Sequence, residues 1–300
     1  MLEQDDLSRR DFLKLGGAAA VLGPSLAVGK EYASKYMEQF ENSLPMEVNV
    51  YQTPDVAETA AAYGRDEHHA QDVAAAYIQD AFNEVFDRTG IDAEVHVNVV
   101  DEPVDMGDHD TTEGMLKDWY DELATREDTA SHSNLLIHGN HYMDALGEGE
   151  SGWDGPLGHV HSCGTSSEVS NGAVLGNGYR LIELDPETVN ETTAWKLYAE
   201  DLDETIYPGH PPAEWVAYSA AHEVGHNSCL HHDMGDVTVE DQEHGRELTA
   251  SVMMGAYYDE FADETNGGSR VPEPEENDDI YLSNRFSETV EQFLAETYGQ

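Results

Sequence analysis

Basic residues are scarce in this chain: 14 Lys and Arg stand against 62 Asp and Glu among 300 residues, a formal charge of −48 at pH 7. So acidic a field repels polyanions, so no nucleic-acid partner is expected and anionic membrane surfaces are poor partners. Cysteine is nearly absent as well. Cys163 and Cys229 are the only two, which limits the chain to one disulfide. Long apolar runs are missing: residues 15–28 form a weakly apolar, Gly/Ala-rich stretch, shorter than the about 20 residues that span a bilayer. No internal repeat or low-complexity tract is present.

The acids are spread along the whole chain instead of gathered in a tail. Low hydrophobicity with high charge can mean disorder, but 39% hydrophobic and 9% aromatic residues with clear periodic segments predict a packed core. A folded protein with this charge repels itself in dilute buffer and is relieved by screening, since the Debye length falls to about 3 Å at 1 M salt. That is the pattern of an extreme halophile. The cluster Asp101, Glu102, Asp105, Asp108 and Asp110 therefore reads first as solvated surface. Calcium (Ca2+) is its second reading, although the Asp-x-Asp-x-Asp-Gly spacing of a calcium loop is lacking.

Periodicity orders the elements. Residues 47–51 alternate Val with polar side chains and predict a strand closed by Pro54; residues 67–89 predict a long helix stopped by Gly90. Residues 93–100 predict a second strand with Val95, Val97 and Val99 on one face. A helix follows over 113–126 and a short buried strand over 135–138. Gly-rich loops around 139–157 lead to a strand at 159–163, and 172–184 offers another, most clearly at 180–183. Residues 211–229 predict a helix with Pro in its first turn, 240–250 a further helix, 259–279 an acidic loop, and 287–298 a closing helix.

The stretch His222-Glu223-Val224-Gly225-His226 lies on the predicted 211–229 helix. Histidines four apart project from one helix face, so both rings can reach one metal ion, and the carboxylate after the first can take a proton from water at the metal's open position. His232, ten residues after His222, suits a chain that leaves the helix and turns back to supply a third ligand. Chance gives His-Glu-x-x-His in roughly 7% of such chains, and requiring the third histidine lowers that to about 0.4%. His231 is the neighbouring rival for the third position. Glu247 is another, as the downstream Glu of a second helix. The pair His159 and His161 shares a strand face and is the candidate for a second metal.

Residues 221–233, Ala-His-Glu-Val-Gly-His-Asn-x-x-x-His-His-Asp, resemble the signature of the metzincin zinc metalloproteases, nearest the reprolysin (adamalysin) branch through Gly225, Asn227 and Asp233. Residues 251–257, Ser-Val-Met-Met-Gly-Ala-Tyr, resemble the Met-turn of that clan, with Met253 as a hydrophobic floor beneath the histidines. Asn284-Arg285-Phe286-Ser287 resembles the opening of its C-terminal helix. The resemblance covers roughly residues 212–297 and implies an α+β fold: a metzincin-like catalytic domain with a mixed twisted sheet, an active-site helix, and a smaller irregular C-terminal subdomain closed by a helix. It places an upper subdomain at 46–232 and a lower one at 233–300, after a short N-terminal segment, 28–45. The strand holding His159 is similar to the one that lines the cleft and pairs with an extended substrate.

Two departures stand out. Position 229, usually Gly at a left-handed turn, is Cys, and position 255, Tyr in some branches, is Gly. Tyr257 or Tyr258 is then the candidate oxyanion group and Asp233 the residue that fixes the turn or a ligand ring. The comparison brings Cys163 and Cys229 near one another, beside the substrate strand and the post-helix turn, which makes them a candidate disulfide that would also tether that turn. No Cys precedes Cys163, so the thiol latch of some metzincins is lacking.

Residues 8–14, Ser-Arg-Arg-Asp-Phe-Leu-Lys, followed by the 15–28 run, resemble a twin-arginine export signal, with small residues for cleavage after Ala27. The sequence thus predicts a secreted, salt-requiring zinc (Zn2+) endopeptidase acting on proteins or peptides, released after signal removal or tethered to the cell surface if the signal stays. Its ligands would be His222, His226 and His232, and its general base Glu223. The alternatives are a metzincin-like surface or adhesion module with a structural zinc, and a zinc amidase acting on small amides.

Overall fold

A computed structural model describes residues 45–107, 109, 112–139, 158–160, 172–191, 194–197, 213–228, 230, 234–242, 245–254 and 279–298. Across them the protein is a mixed α+β structure. In chain order, β1 (Met46–Gln52), α1 (Pro54–Ala62), α2 (His69–Thr89), β2 (Val95–Val99), α3 (Thr112–Leu123), β3 (Ser133–Ile137), β4 (Gly158–Val160) and β5 (Gly172–Leu175) come first. They are followed by β6 (Ala194–Leu197), α4 (Ala213–Asn227), β7 (Val237–Gln242), β8 (Gly245–Ala250), β9 (Asp279–Ser283) and α5 (Glu288–Tyr298).

The first sheet has the order β2-β1-β3-β5-β4, parallel throughout except for β4, which runs antiparallel to β5 at the edge. Strand alternation sorts its side chains to two faces. Val48, Val50, Leu135, Ile137, Ala173 and Leu175 join the core built with α2 and α4, whereas Tyr51, Leu136 and Val174 pack with Met115, Leu116, Trp119 and Leu123 around α3. Both faces are therefore covered, which is why β3 and β5 read as continuous buried runs. Gly90 ends α2 in the left-handed conformation, φ 71°, as its place in the sequence predicts.

Four sequence expectations change. Pro54 closes β1 but also opens α1 as its first residue, where the missing N–H costs nothing. Residues 180–183 are not a strand: Asn177 takes a left-handed turn at φ 56°, and Gly178–Glu183 continues as a 3-10 helix, so the strand of this region is β5. Gly178 has no room for a Cβ, which would collide with the Ile137 side chain. Residues 240–250 form the β7–β8 hairpin instead of a helix. Leu248 and Ala250, two apart, are both fully buried, a period-two pattern that a helix would split between faces.

The fourth change concerns the C-terminal part, whose described residues form a regular sheet and a helix. Its four-stranded sheet runs β6-β9-β8-β7, with β8 and β9 parallel and the other pairs antiparallel. Strand β6, which precedes the histidine helix, lies in this second sheet, paired to β9 by Ala194–Leu197 against Ile280–Ser283. Helix α5 starts as the sequence predicts, the Ser287 hydroxyl accepting the Val290 N–H at 3.1 Å. An ion-pair chain fastens the α5 region to α2: Arg88 meets Glu291 at 2.9 Å, Arg285 meets Glu84 at 3.0 Å, and Asn284 donates to Asp80 at 3.1 Å. Among the described residues, no helix is long and apolar enough to cross a membrane.

Candidate functional site

Helix α4 carries the His-Glu-x-x-His stretch and is buried on nearly every side, with only Glu214 and His226 partly exposed. A helix surrounded in this way must be apolar or small all round. Ala217, Ser219, Ala220, Ala221 and Gly225 meet that demand and let α2, β3, β5 and the Met253 segment approach closely. Its last turn is fixed twice. Asn227 Nδ2 donates to Ser133 Oγ at 2.7 Å, pinning the helix end to β3, and the Leu230 N–H reaches back to the Gly225 carbonyl at 3.0 Å. The latter is the six-to-one bond of a Schellman closure.

His222 and His226 face each other as their spacing requires, ring centroids 4.6 Å apart and planes at 89°. His222 Nδ1 lies 2.7 Å from the Val252 carbonyl, and His226 Nδ1 lies 2.8 Å from the Leu230 carbonyl. A carbonyl oxygen only accepts, so each Nδ1 carries the proton and each neutral ring presents a lone pair on Nε2. Those two Nε2 atoms are 3.0 Å apart. Two lone pairs at that distance repel unless a cation lies between them, and outer hydrogen bonds from Nδ1 to carbonyls are how metal-binding histidines are oriented. Nitrogen donors of this kind suit zinc among the biological divalent cations, although copper, iron and nickel also accept imidazole.

Glu223 is the next residue on the helix, 6% exposed, and its Oε2 is buried with no hydrogen-bond partner among the described residues. Burial pushes this carboxyl up to about 8. An ionised carboxylate in such surroundings needs positive charge or a donor nearby. The two imidazole lone pairs would be relieved by a cation, and the buried carboxyl that follows His222 in sequence by a positive charge or a donor.

Met253 is fully buried in the 3-10 turn Val252–Met254, against the helix floor. A Cβ built on Gly225 would come within 2.5 Å of Met253 Sδ, so the absence of a side chain at 225 is what lets the thioether lie against the helix. The turn is held by Ser251 N–H on the Asp236 carbonyl at 3.0 Å, Asp236 N–H on Ser251 Oγ at 2.9 Å, and Val252 N–H on the Arg285 carbonyl at 2.9 Å. The Tyr218 hydroxyl donates to the Ser251 carbonyl at 2.5 Å.

The structure thus brings together His222, His226, Glu223 and Met253. The candidate ligand His232 and its rival His231, Asp233 as the candidate that fixes the turn or a ligand ring, the oxyanion candidate Tyr257, and the cysteines Cys163 and Cys229 lie outside the described residues, as does His161. Among the described residues no group of three or more His, Cys, Asp or Glu converges on one point. Glu247 lies in β8 opposite Glu240, on a strand instead of the second helix its rival reading needs. Sequence reading missed the Val252 and Leu230 carbonyls, since a backbone acceptor has no residue type. Tyr218 had a signal, its place four residues before His222 on the same helix face. No known protein-family model matches the chain, and no curated protein matches it either.

Proposed function

We propose that the protein is an exported zinc-dependent endopeptidase of metzincin type, working in molar salt. The observation that carries the reading is the 3.0 Å approach of His222 Nε2 and His226 Nε2 with both Nδ1 atoms committed to carbonyls. Through those two nitrogens, and His232 as the expected third, the chain would hold the metal. When bound, the ion supplies a Lewis acid that polarises a scissile carbonyl and acidifies water. Glu223 Oε2 accepts the proton of the attacking water and passes it to the leaving amine. Its burial keeps it from bulk water and favours proton transfer over permanent charge.

Three further features support the reading. The alternation β1, α2, β2, α3, β3 before α4 supports the reading, although α1, β4, β5 and β6 also intervene. Strand β4 is an edge strand packed beside α4, where an extended peptide can add a strand through main-chain hydrogen bonds. A structural zinc would have its fourth position closed by another ligand, whereas here the first histidine is followed by a buried carboxyl whose Oε2 has no partner among the described residues. Export rests on the twin-arginine-like segment, and the salt requirement on the charge of −48.

The test is cleavage of casein or a mixed peptide library by the full chain in 3 M salt, with and without a zinc chelator. Cleavage that the chelator abolishes and added zinc restores is expected. No cleavage, or cleavage indifferent to the chelator, overturns the reading.

A further inference from the structure

We infer that Tyr218 is a positioning residue for the metal site, acting on His222 through the Met253 turn; the inference rests on the metal reading above. Tyr218 is 1% exposed, lies one helical turn before His222, and stacks on its ring with centroids 6.1 Å apart and planes at 26°. Its hydroxyl donates to the Ser251 carbonyl, and His222 Nδ1 donates to the next carbonyl, that of Val252. Two side chains on one helix face therefore grip consecutive carbonyls of one turn.

Among the described residues, the other bonds on that turn come from Asp236 and from Arg285, which belong to the loop before β7 and the lead into α5. They fix the turn relative to the second sheet. The Tyr218 bond fixes it relative to α4 without passing through a ligand. If it is lost, the Val252 carbonyl follows the second sheet, and the His222 ring must choose between its Nδ1 partner and its place opposite His226. The fold survives either choice, but the Nε2 to Nε2 geometry does not. Outer-sphere partners of metal-binding histidines typically change metal affinity by 10–100-fold when removed.

Tyr218→Phe keeps the ring and its stacking and removes only the hydroxyl. Tyr51→Phe is the control, because that buried hydroxyl also donates to a backbone carbonyl, Asp128 at 2.9 Å, on the far face of the first sheet. Zinc affinity of full-length wild type and both variants is measured in 3 M salt by chelator competition, alongside thermal melts of metal-free protein and the visible spectrum of the cobalt(II)-loaded forms. The expected result is zinc binding weakened about tenfold in Tyr218→Phe, with a shifted cobalt band. Tyr51→Phe keeps wild-type affinity and spectrum even where its melting temperature falls as far. Wild-type affinity and spectrum in Tyr218→Phe, or equal loss of affinity in both variants, overturns the inference and leaves the metal reading standing. A wild-type protein that binds no zinc overturns both.

Discussion

The two faces of the first sheet hold buried polar clusters built on different terms. On the α3 face, Asn49 Nδ2 donates to the Asp128 carbonyl at 2.5 Å, the Tyr51 hydroxyl to the same carbonyl at 2.9 Å, and Trp119 Nε1 to the Asn134 carbonyl at 3.0 Å. The Asn134 side chain closes on Ala130 with both ends, accepting its N–H at 2.8 Å and donating to its carbonyl at 3.0 Å. Donor meets acceptor throughout, so this cluster is complete as protein and adds rigidity. On the α4 face, acceptor meets acceptor at His222 and His226, and beside them burial pushes the Glu223 carboxyl up to about 8 and leaves its Oε2 with no hydrogen-bond partner among the described residues. In the metal reading proposed above, a cation would complement those groups. A buried polar cluster that the chain itself completes holds a fold, while one of a single electrostatic sign is set up to hold something else.

The largest expected effect tests that division directly. Glu223→Gln should retain zinc yet lose about 10²–10⁴-fold in peptide hydrolysis, the usual share of a positioned acid–base group. Metal-free Glu223→Gln should melt no lower than wild type, because the amide removes a buried carboxylate that has no partner among the described residues. Near-normal turnover would end the general-base assignment, and a much lower melting temperature would mean that Glu223 holds the fold as the α3 cluster does.

His132 should show the opposite profile, a cost in stability with none in catalysis. It is fully buried, and its Nδ1 accepts the Glu47 N–H at 3.1 Å. Burial lowers the imidazole from 6.5 to about 4. Below pH 6.5 the unfolded chain takes a proton that the folded one refuses, so the stability present above that pH is lost as the pH falls toward 4. The loss is about 2–3 kcal/mol. Asp72, Asp80, Asp236 and Glu291 are shifted upward by burial and pull the other way. The comparison is therefore with His132→Asn, whose carbonyl can accept the same N–H. Denaturant melts at pH 7.5 and 4.5 should show a smaller drop in the variant; equal drops would remove His132 from the acid response.

Much of this was legible in the sequence, for reasons that differ by element. Helix α2 and strand β2 announce themselves because a helical period sustained over 21 residues and a Val-x-Val-x-Val alternation leave few alternatives. The facing of His222 and His226 follows from a spacing of four on a helix. The β7–β8 hairpin misleads because its charged residues, exposed along β7, favour helix as single letters, and only the burial of Leu248 and Ala250 shows period two. Strands β6 and β9 are short, and their partners are far away in sequence, so no local pattern marks them. The Nδ1 acceptors are backbone groups, invisible to any motif.

Gly225→Ala probes the seam where site and fold meet. The new methyl would overlap Met253 Sδ, which is fully buried and has no solvent to move into. Overpacking costs about 1–3 kcal/mol, offset by the roughly 1 kcal/mol that Ala gains over Gly inside a helix. A net loss of about 1–2 kcal/mol is expected, with weaker zinc binding, because the turn that is displaced carries the Val252 carbonyl. A gain in stability would show that the thioether moves aside freely and that the floor beneath the histidines is soft.

The smallest effect comes from the completed cluster. Arg126 forks onto Asp128 with two bonds of 2.8 Å and lies over the Tyr51 ring, its carbon 5.0 Å from the centroid. Exposed ion pairs contribute about 0–1 kcal/mol and fade with salt, but a two-point fork backed by an aromatic face depends less on long-range charge. In molar salt, where the Debye length is about 3 Å, Arg126→Gln should still cost about 1 kcal/mol. Arg88→Gln, whose guanidinium is more exposed and meets Glu291 through a single nitrogen, should cost less. Denaturant melts of both variants at 0.5 and 3 M salt decide it. If the Arg126 cost disappears at high salt, the α3 cluster is held by charge in the way an ordinary surface is, and the contrast between the two faces of the sheet narrows to hydrogen bonding alone.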